Sequence, residues 1–262
     1  MDLNLNGRNA LVCGSSQGIG YESALAIASL GATVILMARD EKALLSAVAK
    51  LPADHGQKHS YIVADFSSKE QVADGINNFL KLGNPIHILV NNTGGPKGGA
   101  IADADTKAFI EAFQMHVVNY QILLQAILPG MKAGQFGRIV NIISTSVKQP
   151  IVGLGVSNTV RGAVANWSKT MSLELGEFGI TSNNVLPGYT RTARLDAMLK
   201  MQSENSGRSM EQVSEELQAS IPIKRFCEPA EVASAVAFLC SPAASAISGI
   251  NLPVDGGRTG SL

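Results

Sequence analysis

The first residues able to do chemistry are Cys13-Gly14-Ser15-Ser16-Gln17-Gly18-Ile19-Gly20, set between an apolar run and a segment of helical period. Glycines let a backbone turn tightly and approach a pyrophosphate. The helix that follows offers unpaired N–H groups and the positive end of its dipole. The spacing is Gly-x3-Gly-x-Gly rather than Gly-x-Gly-x-x-Gly, so the strand–turn–helix setting carries the argument. Gly14, Ser15, Ser16, Gln17, Gly18 and Ile19 are therefore the expected dinucleotide cradle.

The next apolar run ends Met37-Ala38-Arg39-Asp40 and bears on which dinucleotide fits. A ribose with free hydroxyls calls for a carboxylate here, and a 2′-phosphate calls for a cation. Arg39 can grip a phosphate in a forked, charge-assisted contact. Asp40, directly before Glu41, reads instead as a helix N-cap. NADP(H) is favoured, with NAD(H) left open. Metal chemistry is not expected, since His55, His59, His87 and His116 fall on different elements without HExxH spacing. Cys13, Cys227 and Cys240 make neither a CxxC pair nor a disulfide framework. Lys97 and Lys148 read as solvated loop cations.

These residues need elements to hold them. Apolar runs at 9–13, 33–37, 61–64, 86–90, 138–143 and 180–186 alternate with helix-period segments at 18–30, 41–51, 69–80, 106–131 and 157–178. Continuous apolar strands separated by helices imply a parallel sheet covered on both faces, with right-handed crossovers. The expectation is a doubly wound α/β sheet in one domain over 1–262, without linker, repeat or low-complexity tract. Residues 192–221 break the rhythm: they are polar, helix-prone and dotted with Met198, Met201 and Met210. They read as a helical substrate lid, or as a solvated helix pair packing its methionines inward.

Composition narrows the class. Lys+Arg and Asp+Glu are 21 each among 262 residues, so the net charge is zero, which argues against a protein built to hold nucleic acid or acidic membrane. A hydrophobic share of 45% with 16% charged residues excludes global disorder. The start lacks a basic region and a long apolar run, so neither signal peptide nor membrane span is expected, and the cysteines fit a cytoplasmic setting.

With the glycine turn in hand, Asn91-Asn92-Thr93-Gly94-Gly95 takes on meaning. Together with Asn119, Leu128-Pro129, Gly137-Arg138-Ile139-Val140-Asn141 leading to Ser144, Pro187-Gly188 and Val254-Asp255-Gly256-Gly257, it resembles the single-domain short-chain dehydrogenase/reductase family over essentially the whole chain. The resemblance implies a Rossmann-type sheet of about seven parallel strands. It implies that Asp65 and Phe66 border the adenine, Asn91 and Gly94 the ribose side, and Pro187, Gly188 and Thr192 the nicotinamide. It further implies a homo-oligomer, dimer or tetramer, built through the helices at 106–131 and 157–178.

The family's chemistry uses an Asn-Ser-Tyr-Lys set, and here Asn119 and Ser144 match. The places of the tyrosine and lysine fall on Ser157 and Arg161. A phenol has an ordinary pKa near 10 that a neighbouring cation can lower, whereas an alcohol is a far weaker acid. Arg161 keeps the charge and a possible contact to the ribose but cannot pass a proton onward. Three readings follow. A reductase of 3-oxoacyl or similar ketones, or the reverse dehydrogenase, could work with Asn119, Ser144, Ser157 and Arg161. Tyr189 could donate the proton instead. Or the chain could bind NADP(H) without turnover, as a sensor or scaffold.

Overall fold

The computed structural model describes residues 1–261. The strands are β1 (Asn9–Cys13), β2 (Thr33–Ala38), β3 (Ser60–Val63), β4 (Ile88–Asn91), β5 (Gly137–Ile142), β6 (Ile180–Pro187) and β7 (Asn251–Val254). All pair parallel in one seven-stranded sheet of order β3-β2-β1-β4-β5-β6-β7. Successive strand residues point to opposite faces, and the apolar runs split accordingly. Ala10, Val12, Val34, Leu36, Ile88 and Val90 join one core, with α1 (Gly18–Ser29), α2 (Glu41–Val48) and α9 (Pro229–Cys240). Leu11, Ile35, Met37, Leu89 and Ile139 join the other, with α3 (Lys69–Leu80), α5 (Asn119–Ala133) and α6 (Gly155–Glu174). Both faces are covered, as continuous apolar strands require.

Asp40 caps α2 as its position implied, its carboxylate accepting from the Ala43 N–H at 3.0 Å. The stretch read as one helix over 106–131 is divided. α4 (Thr106–Phe113) passes into a π-helical turn, Gln114–Val118, before α5 begins at Asn119. The reason is visible in its contacts. Gln114 Nε2 donates to Ser67 O at 3.0 Å and Asn119 Nδ2 to Phe66 O at 2.6 Å. Both ends of the wider turn thus hold the loop after β3, at the cost of a regular helix. The helix expected over 157–178 starts at Gly155 and ends at Glu174, followed by a 3₁₀ turn.

Residues 192–221 fold as α7 (Ala193–Ser206) and α8 (Met210–Ala219). Leu195, Leu199, Val213, Ile221 and Phe226 form a small core of their own, with Met198 and Tyr189 against it. Met201 and Met210 are exposed, so only one of the three methionines faces inward. α9 and β7 complete the sheet and one layer. Pro253 is tolerated because β7 is an edge strand paired on one side.

A row of amides, three buried and the last half-buried, ties four strands together. Asn91 Nδ2 donates to Asn141 Oδ1 (2.8 Å), Asn141 Nδ2 to Asn184 Oδ1 (2.9 Å) and Asn184 Nδ2 to Asn251 Oδ1 (2.8 Å). These residues are register partners on β4, β5, β6 and β7, so the ladder runs straight across the sheet.

Candidate active site

The chain leaves β1 toward β2 and β3, then returns to β4 on the other side of β1. That reversal opens a crevice at the carboxyl ends of β1 and β4, where open α/β sheets take their ligands. The glycine turn forms one wall. Gly14 and Gly18 hold φ of +56° and +60°, a region that side chains rarely adopt. A Cβ on Gly14 would fall 2.6 Å from Asn92 O, and one on Gly20 would strike Gly14 O. Asn92 Nδ2 donates to Gly14 O at 3.0 Å and to Cys13 O at 3.3 Å, fixing the turn to the end of β4. Ser15 is turned inward, its Oγ donating to Val12 O and accepting from Met37 N. Ser16, Gly18 and Ile19 are half-buried and Gln17 is exposed. Gln17 gives α1 no side-chain cap, so the first N–H groups of that helix face the crevice without a cap of their own.

Arg39 stands exposed at the end of β2. Asp65 closes the loop after β3 by accepting from Ser67 N at 2.8 Å. That bond, with the Arg39 charge nearby, holds its carboxyl below the usual range. Phe66 is buried beside it. Beyond β4, Gly94 has open space where a side chain would sit, and Asn91 Oδ1 is buried without a partner. Gly188 packs where a Cβ would meet Asp255 at 2.7 Å, so the Pro187-Gly188 bend is set by β7. Thr192 Cγ2 lies 3.5 Å from the Cβ position of Gly18, which brings the start of α7 onto the glycine turn.

The second wall comes from β5, α5 and α6. Ser144 follows β5 and its Oγ accepts from Ser146 N at 3.1 Å, capping a 3₁₀ turn. Arg161 Nη1 donates to Ile142 O at 3.1 Å, two residues before Ser144. This bond fixes the α6 face that carries Ser157, one helical turn earlier, beside the end of β5. Ser157 and Arg161 are buried, and burial draws the guanidinium below its ordinary pKa. Asn119 uses Nδ2 on Phe66 O and leaves Oδ1 buried without a partner. His116, buried in the π-helical turn, is pushed down to about 2 by desolvation and by the charges of Arg161 and Arg194, so its ring is neutral.

Tyr189 packs edge-on against Phe226, and its hydroxyl accepts from Arg258 Nη2 at 3.3 Å. Tyr120, the tyrosine next to Asn119, is fully buried between Trp167 and His116. Among the described residues no group of His, Cys, Asp and Glu could hold a metal ion, and no helix is long and apolar enough to cross a membrane. Three positions went unmarked as site residues in the sequence. Gly20 and Asn92 stand inside motifs read there, so their signal was present. Arg194 had none, because only the fold of α7 carries it to Gly95.

The whole of this frame is matched by known proteins. Residues 14–259 match the family model described as enoyl-(acyl carrier protein) reductase. The chain belongs to the short-chain dehydrogenase/reductase family. Gluconate 5-dehydrogenase of Gluconobacter oxydans is 31% identical over 259 residues, covering 99% of this chain and 97% of its own. The L-sorbose reductase of Gluconobacter frateurii, solved with NADPH and L-sorbose, superposes with a TM-score of 0.93 at 28% identity over all of both chains. Actinorhodin polyketide ketoreductase, solved with NADPH as a single-site variant, gives 0.89 at 30% identity over 97% of each chain. As a member of this family the chain is an oxidoreductase acting on CH–OH or C=O groups.

Proposed function

We propose that this chain is a single-domain, NADP(H)-dependent reductase of 3-oxoacyl or similar ketones, or the reverse dehydrogenase, working without the family's tyrosine and lysine. The observation that supports the reading is the bond from Arg161 to Ile142 O, which ties the helix carrying Ser157, and a fixed positive charge, to the strand end that leads to Ser144. The crevice fits the dinucleotide: Gly14 and Gly20 have no room for a Cβ, and the start of α1 carries uncapped N–H groups. Gly14 to Ile19 would hold the pyrophosphate, Arg39 the 2′-phosphate, Asp65 and Phe66 the adenine, Asn91, Gly94 and Arg161 the ribose, and Pro187, Gly188 and Thr192 the nicotinamide. Two of the solved relatives carry NADPH, which supports this preference over NAD(H). Bound NADPH supplies the hydride.

The chain's own part is placement and charge. Ser144 and Ser157 donate hydrogen bonds to the carbonyl oxygen, and the Arg161 charge stabilises the alkoxide developing there. The proton then comes from water held near Asn119, whose Oδ1 is free to accept. Residues 192–221 serve as the substrate lid. Exposed Ile110 (68%) on α4 and Leu173 (75%) on α6 support a homo-oligomer through those helices. Three free cysteines suit a cytoplasmic, reducing setting.

NADPH oxidation over a broad carbonyl panel tests the reading, with wild type beside a Ser157→Tyr, Arg161→Lys double variant. Turnover by the wild type is expected. One observation favours the rival reading, a sensor or scaffold that binds NADP(H) without turnover: both nearby phenols, Tyr120 and Tyr189, are engaged elsewhere. Turnover by the double variant alone would establish it.

A further inference from the structure

Positive charge gathers at the candidate site, and among the described residues no ion pair meets it. Arg161 is 6% exposed, and its bond to a protein acceptor is the one to Ile142 O. Arg194, in the first turn of α7, lays its guanidinium on Gly95, where a Cβ would fall 2.6 Å from Nη1. Arg194 lies within electrostatic reach of both Arg161 and His116. The ion pairs among the described residues all lie elsewhere, at Lys107–Glu111, Arg191–Glu228, Arg208–Glu216 and Arg225–Glu231. Among the described residues, the charges that act on Arg161 are those of Tyr120 and Arg194.

Arg161 is a buried cation with no ion-pair partner among the described residues, which is costly, and the exposed guanidinium of Arg194 nearby adds its repulsion. An anion delivered with the ligand removes both penalties, and a guanidinium binds a carboxylate through two parallel hydrogen bonds. Arg161 stands apart from the places expected for the dinucleotide's phosphates, whereas Arg194 follows Thr192, which meets Gly18 of the glycine turn, so the binding test below separates the two anions. The glycine turn follows β1 and Arg39 follows β2, whereas Arg161 is tied to β5, beyond β4. Two interstrand steps separate β1 from β5, roughly 10 Å. The same wall holds two buried polar atoms without partners, His116 Nε2 and Asn119 Oδ1.

We infer that the substrate is a carbonyl compound that carries a carboxylate, received by Arg194 above Gly95 with the Arg161 charge behind it. This deepens the reductase reading and rests on it. Gly95 is the shelf for the guanidinium, so Gly95→Ala displaces the charge without removing it.

The test begins with binding. The protein saturated with NADPH is titrated calorimetrically with succinate and with dimethyl succinate in a chloride buffer. Succinate binds and the ester does not. Arg194→Met weakens succinate at least tenfold, and Gly95→Ala does so as well, while the Kd for NADPH stays within threefold. Equal behaviour of acid and ester overturns the inference. So does a loss in Arg194→Met that falls on NADPH rather than succinate. The kinetic arm compares acetoacetate with methyl acetoacetate, and a higher kcat/KM for the ester also overturns it. If no carbonyl is reduced while succinate still binds through Arg194, the reductase reading fails and the anion site stands.

Discussion

At the scale of single residues, the titratable groups beside the proposed site are held far from neutral pH. His116 stays neutral down to about 2 and Tyr120 is pushed above the ordinary phenol range. Neither changes charge between pH 6 and 9, so the wild-type kcat should be flat there. The Ser157→Tyr, Arg161→Lys variant adds a phenol beside an amine, and a pH–rate series should show a new ionisation. His116 also sets an acid limit on stability. Its folded pKa lies below the unfolded value of 6.5, so the unfolded chain takes up the proton first. Stability is complete above 6.5 and falls as the pH drops below it, by about 1.4 kcal/mol per pH unit from this group. Denaturant titrations at pH 7.5 and 5.5 check this, and His116→Gln should flatten the slope. Arg39 was legible in the sequence as the residue that ends β2, and its proposed use is to grip a 2′-phosphate. Arg39→Asp should favour NADH over NADPH by at least about tenfold, read from the two Kd values. Arg194 was not legible, since nothing in the order of residues brings α7 to Gly95.

At the scale of elements, apolar runs disclosed six of the seven strands, because buried parallel strands read as unbroken hydrophobic stretches. β7 escaped, being short, half-buried and interrupted by Pro253. α9 escaped although Glu228, Pro229 and Glu231 write a helix start into the sequence, with a capping box and proline in the first turn. The π-helical turn could not be read, because hydrophobic spacing over 106–131 continues through it. Its worth is testable at Asn119. Asn119→Ala leaves the buried Phe66 carbonyl without its 2.6 Å donor. The expected cost is about 1–3 kcal/mol by denaturant unfolding, with reduction weakened as well. Gly20→Ala acts through the turn instead: its Cβ strikes Gly14 O, so NADPH binding should be lost while the fold persists.

At the scale of the molecule, the crevice separates two sets of residues. Those expected to hold the nucleotide come mostly from β1 to β4, and those expected to handle the carbonyl come from α5 onward. Arg39 and Ser157 share no partner, so the effects of Arg39→Asp and Ser157→Ala on kcat/KM should add, within about 0.5 kcal/mol in a double-mutant cycle. The oligomer belongs to this scale too: light scattering at micromolar concentration should give a dimer or tetramer, and Ile110→Asp should lower the mass. The asparagine ladder spans this half of the sheet from β4 to its edge. Its three bonds all run in the same sense, from β4 toward β7. Turning one amide over would set oxygen against oxygen on one side and N–H against N–H on the other, so the row can reverse only as a unit. A further bond from Asn141 Nδ2 to Asn183 O at 3.3 Å holds that sense, and the row is a one-way polar chain about 15 Å long by the strand spacing. Its sense decides whether Asn91 has an oxygen or an N–H left unpaired. The row thus spends the Asn91 N–H inside the sheet and leaves its oxygen over at the end of β4.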